Sequence, residues 1–280
     1  MKIYNKIDSF LDARSKLNSK KISLVPTMGS IHEGHLSLID KAKSYGDTVI
    51  VTIFVNPIQF NSTKDFDTYP RSLEDDKKIL QNLGVDILFC PPAEEIYPEK
   101  FKSYVKVKML SDVLEGKYRK GNMEGVATVV TKLFNIIQPN YAIFGEKDYQ
   151  QLLLIKSFVS DLNIPVEIIS SKTIRDNEGL ALSSRNKNLS VSEKNQATEI
   201  INSLYFGIKN LISGEKKSKN IITLIENYLS DFNLIKIEYI SIRDLENFEI
   251  VDEINSDFVI LIAVYVGKIR LIDNIIYRKK

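Results

Sequence analysis

Lys21-Ile22-Ser23-Leu24-Val25-Pro26-Thr27-Met28-Gly29-Ser30-Ile31-His32-Glu33-Gly34-His35-Leu36 carries a strand into a helix. Lys21–Val25 reads as a short buried strand, and Leu36, Leu38, Ile39 and Ala42 recur with helical spacing until Gly46. At such a junction the first helical N–H groups lack partners and the macrodipole adds partial positive charge, so the spot attracts anions. Gly29 and Gly34 carry no Cβ to keep a phosphate away. The only two histidines of the chain, His32 and His35, fall here. Imidazoles so placed can donate hydrogen bonds to a nucleotide's phosphates, and one can supply a proton or positive charge to a leaving pyrophosphate.

Zinc is the other chemistry that a pair of histidines can serve. His32 and His35 are not at the His-Glu-x-x-His spacing of zinc proteases, there is no third histidine, and Cys90 is the single cysteine. A closed site would need carboxylates, so no metal ligand set is assigned to the chain.

The 280 residues exceed the usual size of one domain and supply ample material for a core. A formal charge of +2 predicts no large field for nucleic acid or membrane, and Lys216-Lys217-Ser218-Lys219 and Arg278-Lys279-Lys280 read as solvated surface. One cysteine rules out an intrachain disulfide and fits a reducing compartment, and the stretch from Met1 to Lys6 has no apolar signal core. The longest apolar run, Phe258 to Val266, is too short to span a bilayer. The expectation is a soluble cytoplasmic protein.

Short β-branched runs alternate with helical patterns through the first two-thirds of the chain, the mark of βαβ units around a parallel sheet. Strands are expected at Ile22–Val25, Thr48–Phe54, Val85–Phe89, Tyr141–Phe144 and Val166–Ile169. Helices are expected from the Ser72 cap to Gly84, over Glu124–Ile137 and over Tyr149–Leu162. Beyond about residue 190 the pattern changes to helices at Ser192–Ile212 and Ser218–Phe232, then strands at Lys236–Ile242, Phe258–Val266 and Ile269–Ile272. Gly267-Lys268 marks a hairpin. The fold class is therefore α/β, a Rossmann-like parallel sheet domain followed by a smaller C-terminal α+β domain, with ligands beyond the carboxyl ends of the strands.

Three further segments fall at strand or loop ends. In Phe54-Val55-Asn56-Pro57-Ile58-Gln59-Phe60, the amides of Asn56 and Gln59 can bind hydroxyl and carboxylate groups without adding charge. In Phe144-Gly145-Glu146-Lys147-Asp148-Tyr149-Gln150-Gln151, Gly145 admits close backbone approach and Lys147 is a point charge for phosphate. Asp148 can accept from ribose hydroxyls, help hold Mg²⁺, or cap the following helix. Leu182-Ser183-Ser184-Arg185-Asn186 sets two hydroxyls beside a guanidinium, which suits a polyphosphate tail. Together with the imidazoles these residues describe a triphosphate site without a Walker-type sequence.

With these residues assembled, the chain resembles the pantothenate synthetases, ATP-dependent pantoate–β-alanine ligases of the nucleotidylyltransferase superfamily. Pro26–His35, Phe54–Phe60, Tyr69-Pro70-Arg71, Gly125–Pro139, Gly145–Gln151 and Gly179–Asn186 read like the family's motifs in the family's order. The resemblance implies condensation of pantoate with β-alanine through a pantoyl adenylate, releasing pyrophosphate and AMP, in coenzyme A biosynthesis. It implies a nucleotide- and pantoate-binding domain at 1–175, a lid domain at 176–280, and a homodimer. Met28, Gly29, Ser30, Ile31, His32, Glu33, Gly34 and His35 would line the ATP site together with Gly145, Glu146, Lys147, Asp148, Ile174, Leu182, Ser183, Ser184 and Arg185. Catalytic roles would fall to His35 as proton donor, His32, Lys147 and Arg185, and Gln59, Gln151 and Asn56 would hold pantoate or β-alanine. Mg²⁺ would be bound mainly through the ATP phosphates.

The chain departs from the family at one place, carrying Arg119-Lys120-Gly121-Asn122-Met123 where members usually have Arg-Pro-x-His-Phe. Asn122 keeps a hydrogen-bond donor there and loses the ability to carry charge. Two other classes share the phosphate-binding residues: a nucleotidylyltransferase that adenylylates a phosphate acceptor and stops, and a nucleotide-binding protein without chemistry. The uncharged Gln59 and Gln151 argue against the first, and His32, His35, Lys147 and Arg185 against the second.

Overall fold

The computed structural model describes residues 1–17, 20–61 and 63–279; Lys280, which ends the basic run from Arg278, lies outside them. The chain divides into two compact units, Met1–Thr173 and Ile174–Lys280. In chain order the first unit contains β1 (Lys2–Tyr4), α1 (Ile7–Ser15), β2 (Ile22–Thr27), α2 (Glu33–Lys43), β3 (Thr48–Ile53), α3 (Thr63–Asp67) and α4 (Leu73–Asn82). It continues with β4 (Ile87–Phe89), α5 (Ala93–Ile96), α6 (Glu115–Tyr118), α7 (Asn122–Ile137), β5 (Tyr141–Gly145), α8 (Tyr149–Asp161) and β6 (Glu167–Ser171).

The six strands form one parallel sheet in the order β1-β4-β3-β2-β5-β6. Helices cover both faces of such a sheet, so its inner strands are apolar throughout rather than alternating. β2 and β3 obey this, with Ile22, Leu24, Val25, Ile50 and Val51 fully buried. On one face Val25, Val51, Leu88 and Ile143 pack with Ile39 and Ala42 of α2 and Leu80 of α4. From β2 the chain builds outward to β3 and β4, then returns to place β5 on the other side of β2. The order thus reverses between β2 and β5, and the crevice at their carboxyl ends is the ligand position for a sheet of this kind.

Two helix starts differ from the sequence reading. Ser72 precedes α4 but its hydroxyl donates to the Asp76 carboxylate at 3.3 Å rather than capping a backbone N–H. Asp148 precedes α8 and makes no capping bond. Gly84, at φ +70°, ends α4 as expected, because the left-handed turn that closes a helix is free of strain only without a Cβ.

The second unit holds α9 (Val191–Ala197), α10 (Glu199–Ile212) and α11 (Ser218–Ser230), then the antiparallel meander β7 (Ile235–Asp244), β8 (Phe258–Val266) and β9 (Ile269–Tyr277). The single helix expected over Ser192–Ile212 is two, broken at Thr198, whose Oγ1 donates to the Asn195 carbonyl and draws it off the helical ladder. Gly267, at φ +57°, makes the expected hairpin between β8 and β9. Ile200, Leu204, Ile221, Ile225 and Leu229 pack on the inner face of the sheet at Ile260, Ile262 and Val264. Gly207 lets α10 and α11 approach closely here, since a Cβ would stand 2.8 Å from Ile225 Cδ1 and that side chain would have to turn aside. Among the described residues no helix is long and apolar enough to cross a membrane.

Candidate active site

The histidine motif occupies the loop from the carboxyl end of β2 into α2. Gly29 and Ser30 both sit in left-handed conformations, at φ +81° and +52°. The loop is tied by the Thr27 hydroxyl, which accepts from Gly29 N at 3.1 Å, and by the buried Asp76 carboxylate, which accepts from Ser30 N and Ile31 N at 2.8 Å each. His32 is the N-cap of α2, its Nδ1 accepting from Gly34 N at 3.2 Å, while His35 Nδ1 accepts from His32 N at 3.3 Å. This is a capping box built from two imidazoles instead of a hydroxyl and a carboxylate. Because each Nδ1 accepts, each neutral ring carries its proton on Nε2 and can donate from there.

Burial pushes the His35 pKa down to about 3, with His32 and the Lys147 cation adding to the effect. His35 is therefore a neutral Nε2–H donor at neutral pH, not the positive charge that the sequence reading allowed.

Lys147 stands in a 3-10 turn, Glu146–Asp148, at the carboxyl end of β5, its side chain 19% exposed and its Nζ 3.9 Å from Asp148 Oδ2. β2 and β5 are adjacent parallel strands, so the histidine loop and the Lys147 turn leave the sheet side by side where strand order reverses, and the ammonium adds to the lowering of the His35 pKa. A Cβ on Gly145 would meet nothing nearer than Lys147 N at 4.0 Å, so the strand end is open to a ligand. Two residues into α8, Gln150 is committed to the fold: it accepts from Glu115 N and donates to the Leu110 and Val113 carbonyls. Gln151 is half-buried, and its side chain makes no hydrogen bond among the described residues.

After β3, Asn56 leads a 3-10 turn, Pro57–Gln59. Asn56 is 1% exposed and both ends of its amide are engaged: Nδ2 donates to Gln59 Oε1 at 2.9 Å and to the Gly125 carbonyl at 3.0 Å, and Oδ1 accepts from the Tyr97 hydroxyl at 2.9 Å. Gln59 Nε2 in turn reaches Met28 Sδ at 3.1 Å, which links this turn to the histidine loop. Helix α7 grips the turn from the side. Asn122 Nδ2 donates to the Gln59 carbonyl at 2.7 Å, and a Cβ on Gly125 would lie 2.9 Å from Gln59 Cα and N. Asn122, the departure from the family pattern, thus has a definite buried role in holding Gln59.

In the second unit Ile174 and Leu182 are brought together, Leu182 N donating to the Ile174 carbonyl at 3.0 Å beside the bridge between Arg175 and Ala181. Ser183 follows, its Oγ accepting from Arg185 N at 3.3 Å, and Ser184–Asn188 forms a 3-10 turn. The segment is braced by Arg175, whose guanidinium makes a bidentate pair with buried Asp273 at 2.6 and 2.8 Å.

Sequence reasoning missed Asp76, Tyr97 and the structural use of Gln150. Asp76 appears in the sequence as one of three consecutive acidic residues, Glu74-Asp75-Asp76, with nothing to mark it as the buried one. Among the described residues no group of three or more His, Cys, Asp or Glu side chains could hold a metal ion.

Comparison with known proteins agrees with this geometry. The family described as pantoate-beta-alanine ligase matches residues 2–276. A pantothenate synthetase of Carboxydothermus hydrogenoformans is 47% identical over 265 residues, 94% of each chain, and one of Caldicellulosiruptor bescii is 44% identical over the full length of both. Among solved structures, the pantothenate synthetase of Thermus thermophilus superimposes with a TM-score of 0.93 at 37% identity, covering 98% of this chain and 99% of that one. The pantoate-beta-alanine ligase of Francisella tularensis, complexed with beta-gamma ATP and beta-alanine, gives a TM-score of 0.80 at 41% identity, covering 99% and 97%. With the parallel sheet, the paired histidines at its switch point and a family match along nearly its whole length, this chain belongs to the pantoate–β-alanine ligase family.

Proposed function

We propose that this chain condenses pantoate with β-alanine in two steps driven by ATP, and that the first unit's strand ends supply the groups for adenylate formation. A pantoate carboxylate oxygen attacks the α-phosphorus; the new O–P bond forms as the bond to the bridging oxygen breaks, and pyrophosphate leaves with the electron pair. The amine of β-alanine then attacks the acyl carbon, the C–N bond forms, the C–O bond to AMP breaks, and the amine releases a proton.

The carrying observation is the meeting of the His32–His35 pair with Lys147 where strand order reverses. Phosphoryl transfer asks mainly for positioning and charge neutralisation, and this arrangement offers two Nε2–H donors and one ammonium. The neutral His35 ring, its Nδ1 engaged by His32 N, presents Nε2–H to the departing pyrophosphate and donates a hydrogen bond to the charge that develops there. Lys147 is assigned to the α-phosphate, and Gly145, Glu146 and Asp148 to the ribose side. Ser183, Ser184 and Arg185 are assigned to phosphate oxygens, and the backbone near Ile174 and Leu182 to the adenine. Gln59 and Gln151 hold pantoate through neutral amides, and Asn56, with its amide engaged, acts by fixing Gln59.

Mg²⁺ fits as an ion brought in on the nucleotide. Asp148, with a half-exposed carboxylate, is the residue at hand, and the ion would neutralise phosphate charge there. A homodimer in the cytoplasm completes the reading.

Pyrophosphate and AMP release from the purified protein with Mg-ATP and pantoate, with and without β-alanine, tests it. Pyrophosphate that requires pantoate, with sustained AMP release only when β-alanine is present, is expected; pyrophosphate independent of both overturns the assignment.

A further inference from the structure

We propose that Asp76 is the positioning residue of the His32–His35 pair, holding the loop before α2 in the conformation that sets both imidazoles. Only the kinetic arm of its test depends on the ligase reading. Asp76 sits in the first turn of α4 and is 2% exposed. Its Oδ2 accepts from Ser30 N and its Oδ1 from Ile31 N, at 2.8 Å each, and the Ser72 hydroxyl steadies Oδ1 at 3.3 Å. These are the two residues that immediately precede the His32 cap.

The loop needs such a hold. Ser30 lies in the left-handed region that side chains rarely adopt, directly after Gly29 in the same region. Strained backbone of this kind persists only where the surroundings over-determine it. Ser30 Oγ is buried without a hydrogen-bond partner among the described residues, so its own side chain does not fix it. Gly29 rests against the carboxylate so closely that a Cβ would stand 3.0 Å from Asp76 Oδ2. The loop also borders a cavity of about 420 Å³, lined by Met28, Gly29, Ile53, Asp76 and Cys90 among others, which gives it room to relax if the carboxylate is lost.

The charge of Asp76 points the same way. A buried carboxylate is costly, and behind a phosphate-binding loop it repels the ligand. It therefore does nothing for nucleotide attraction, and its two charge-assisted bonds to backbone N–H groups are what it contributes.

The protein has only two histidines, so their ring signals in carbon–proton NMR can be followed individually. Asp76→Asn keeps the side-chain volume and one acceptor oxygen but turns an N–H₂ toward a backbone N–H. The expected result is a His35 titration midpoint raised by about one pH unit or more as the ring gains water. With it, pantoate-dependent pyrophosphate release falls about 10- to 100-fold in kcat, while the KM for ATP changes by less than about threefold. A merely structural carboxylate would lower the folded fraction and leave the His35 midpoint of the folded protein where it was. A folded Asp76→Asn protein whose His35 midpoint is unchanged overturns the proposal, whatever the substrate proves to be. Should Asp76→Asn fail to fold, Ser72→Ala decides: a His35 midpoint raised by a few tenths of a pH unit supports the proposal, and an unchanged midpoint overturns it.

Discussion

His35 accepts a hydrogen bond from the backbone N–H of His32 through Nδ1 at 3.3 Å, with the two rings 4.1 Å apart and tilted by 40°. The pair is thus a structural cap and a chemical group at once. The bond that closes the first turn of α2 also fixes the tautomer, which leaves Nε2–H of each ring as the donor. A side chain that serves both ends cannot be replaced by one that serves either alone.

Acid stability follows from this. His35 is neutral in the fold, its pKa pushed down from 6.5 to about 3, whereas in the unfolded chain it takes up a proton below 6.5. The unfolded state therefore binds more protons as pH falls through that window, and stability declines there by at most about 1.4 kcal/mol per pH unit from this residue. Urea midpoints measured at about pH 7.5 and about pH 5 should lie closer together in His35→Gln than in the wild type. Equal separation in the two proteins would contradict the buried neutral imidazole.

Lys147→Met keeps the length of the side chain and removes its charge. On the proposed role of the ammonium at the phosphate, adenylate formation should fall by about 10²-fold or more, with little change in thermal midpoint. The same substitution should raise the His35 titration midpoint, since Lys147 helps to depress it. A fall in activity without movement of His35 would separate the two residues.

Gly125→Ala presses a Cβ into the backbone of Gln59 at 2.9 Å, where no flexible side chain can yield. The turn must shift, at a cost of roughly 1–3 kcal/mol in stability. The KM for pantoate should rise by about tenfold while that for ATP stays near its wild-type value. Equal effects on both substrates would show that Gln59 is not specific to pantoate.

Tyr97→Phe removes the hydroxyl that donates to Asn56 Oδ1 at 2.9 Å and leaves a buried amide oxygen unsatisfied, which destabilises by about 1–3 kcal/mol. Burial holds the Tyr97 pKa above its ordinary value, so the wild-type bond persists through alkaline conditions in which an exposed tyrosine ionises. Chemical denaturation of the two proteins at neutral pH would show the difference, and equal stabilities would mean that the Asn56 network is slack.

In the second unit, Asp273→Ala strands the Arg175 guanidinium, which makes a bidentate pair with that buried carboxylate. The expected loss is roughly 3 kcal/mol. Asp273→Asn, which keeps one acceptor, should lose less; calorimetry of both variants orders them.

Much of the first unit is legible in its sequence. Lys21–Val25 and Thr48–Phe54 announced buried parallel strands because both faces of β2 and β3 are covered, which makes their apolar runs continuous. The histidine motif could be placed because scarcity and flanking glycines mark it. The three residues of β1 and the single turns α5 and α6 offered no periodicity to read, since each spans little more than one repeat and a pattern needs at least two. Asp76 and Tyr97 escaped for another reason: each acts on residues 40 or more positions away, and one sequence does not show which exposed-looking polar side chain the fold will bury.

The central claim is that a pantoate carboxylate oxygen becomes bonded to the α-phosphorus, and isotope transfer tests it most directly. With pantoate labelled by ¹⁸O in both carboxylate oxygens, Mg-ATP and β-alanine, mass spectrometry of the products should find one ¹⁸O in AMP, none in pyrophosphate and one retained in the new amide carbonyl. AMP free of label, or label in an inorganic phosphate product, would contradict the adenylate route.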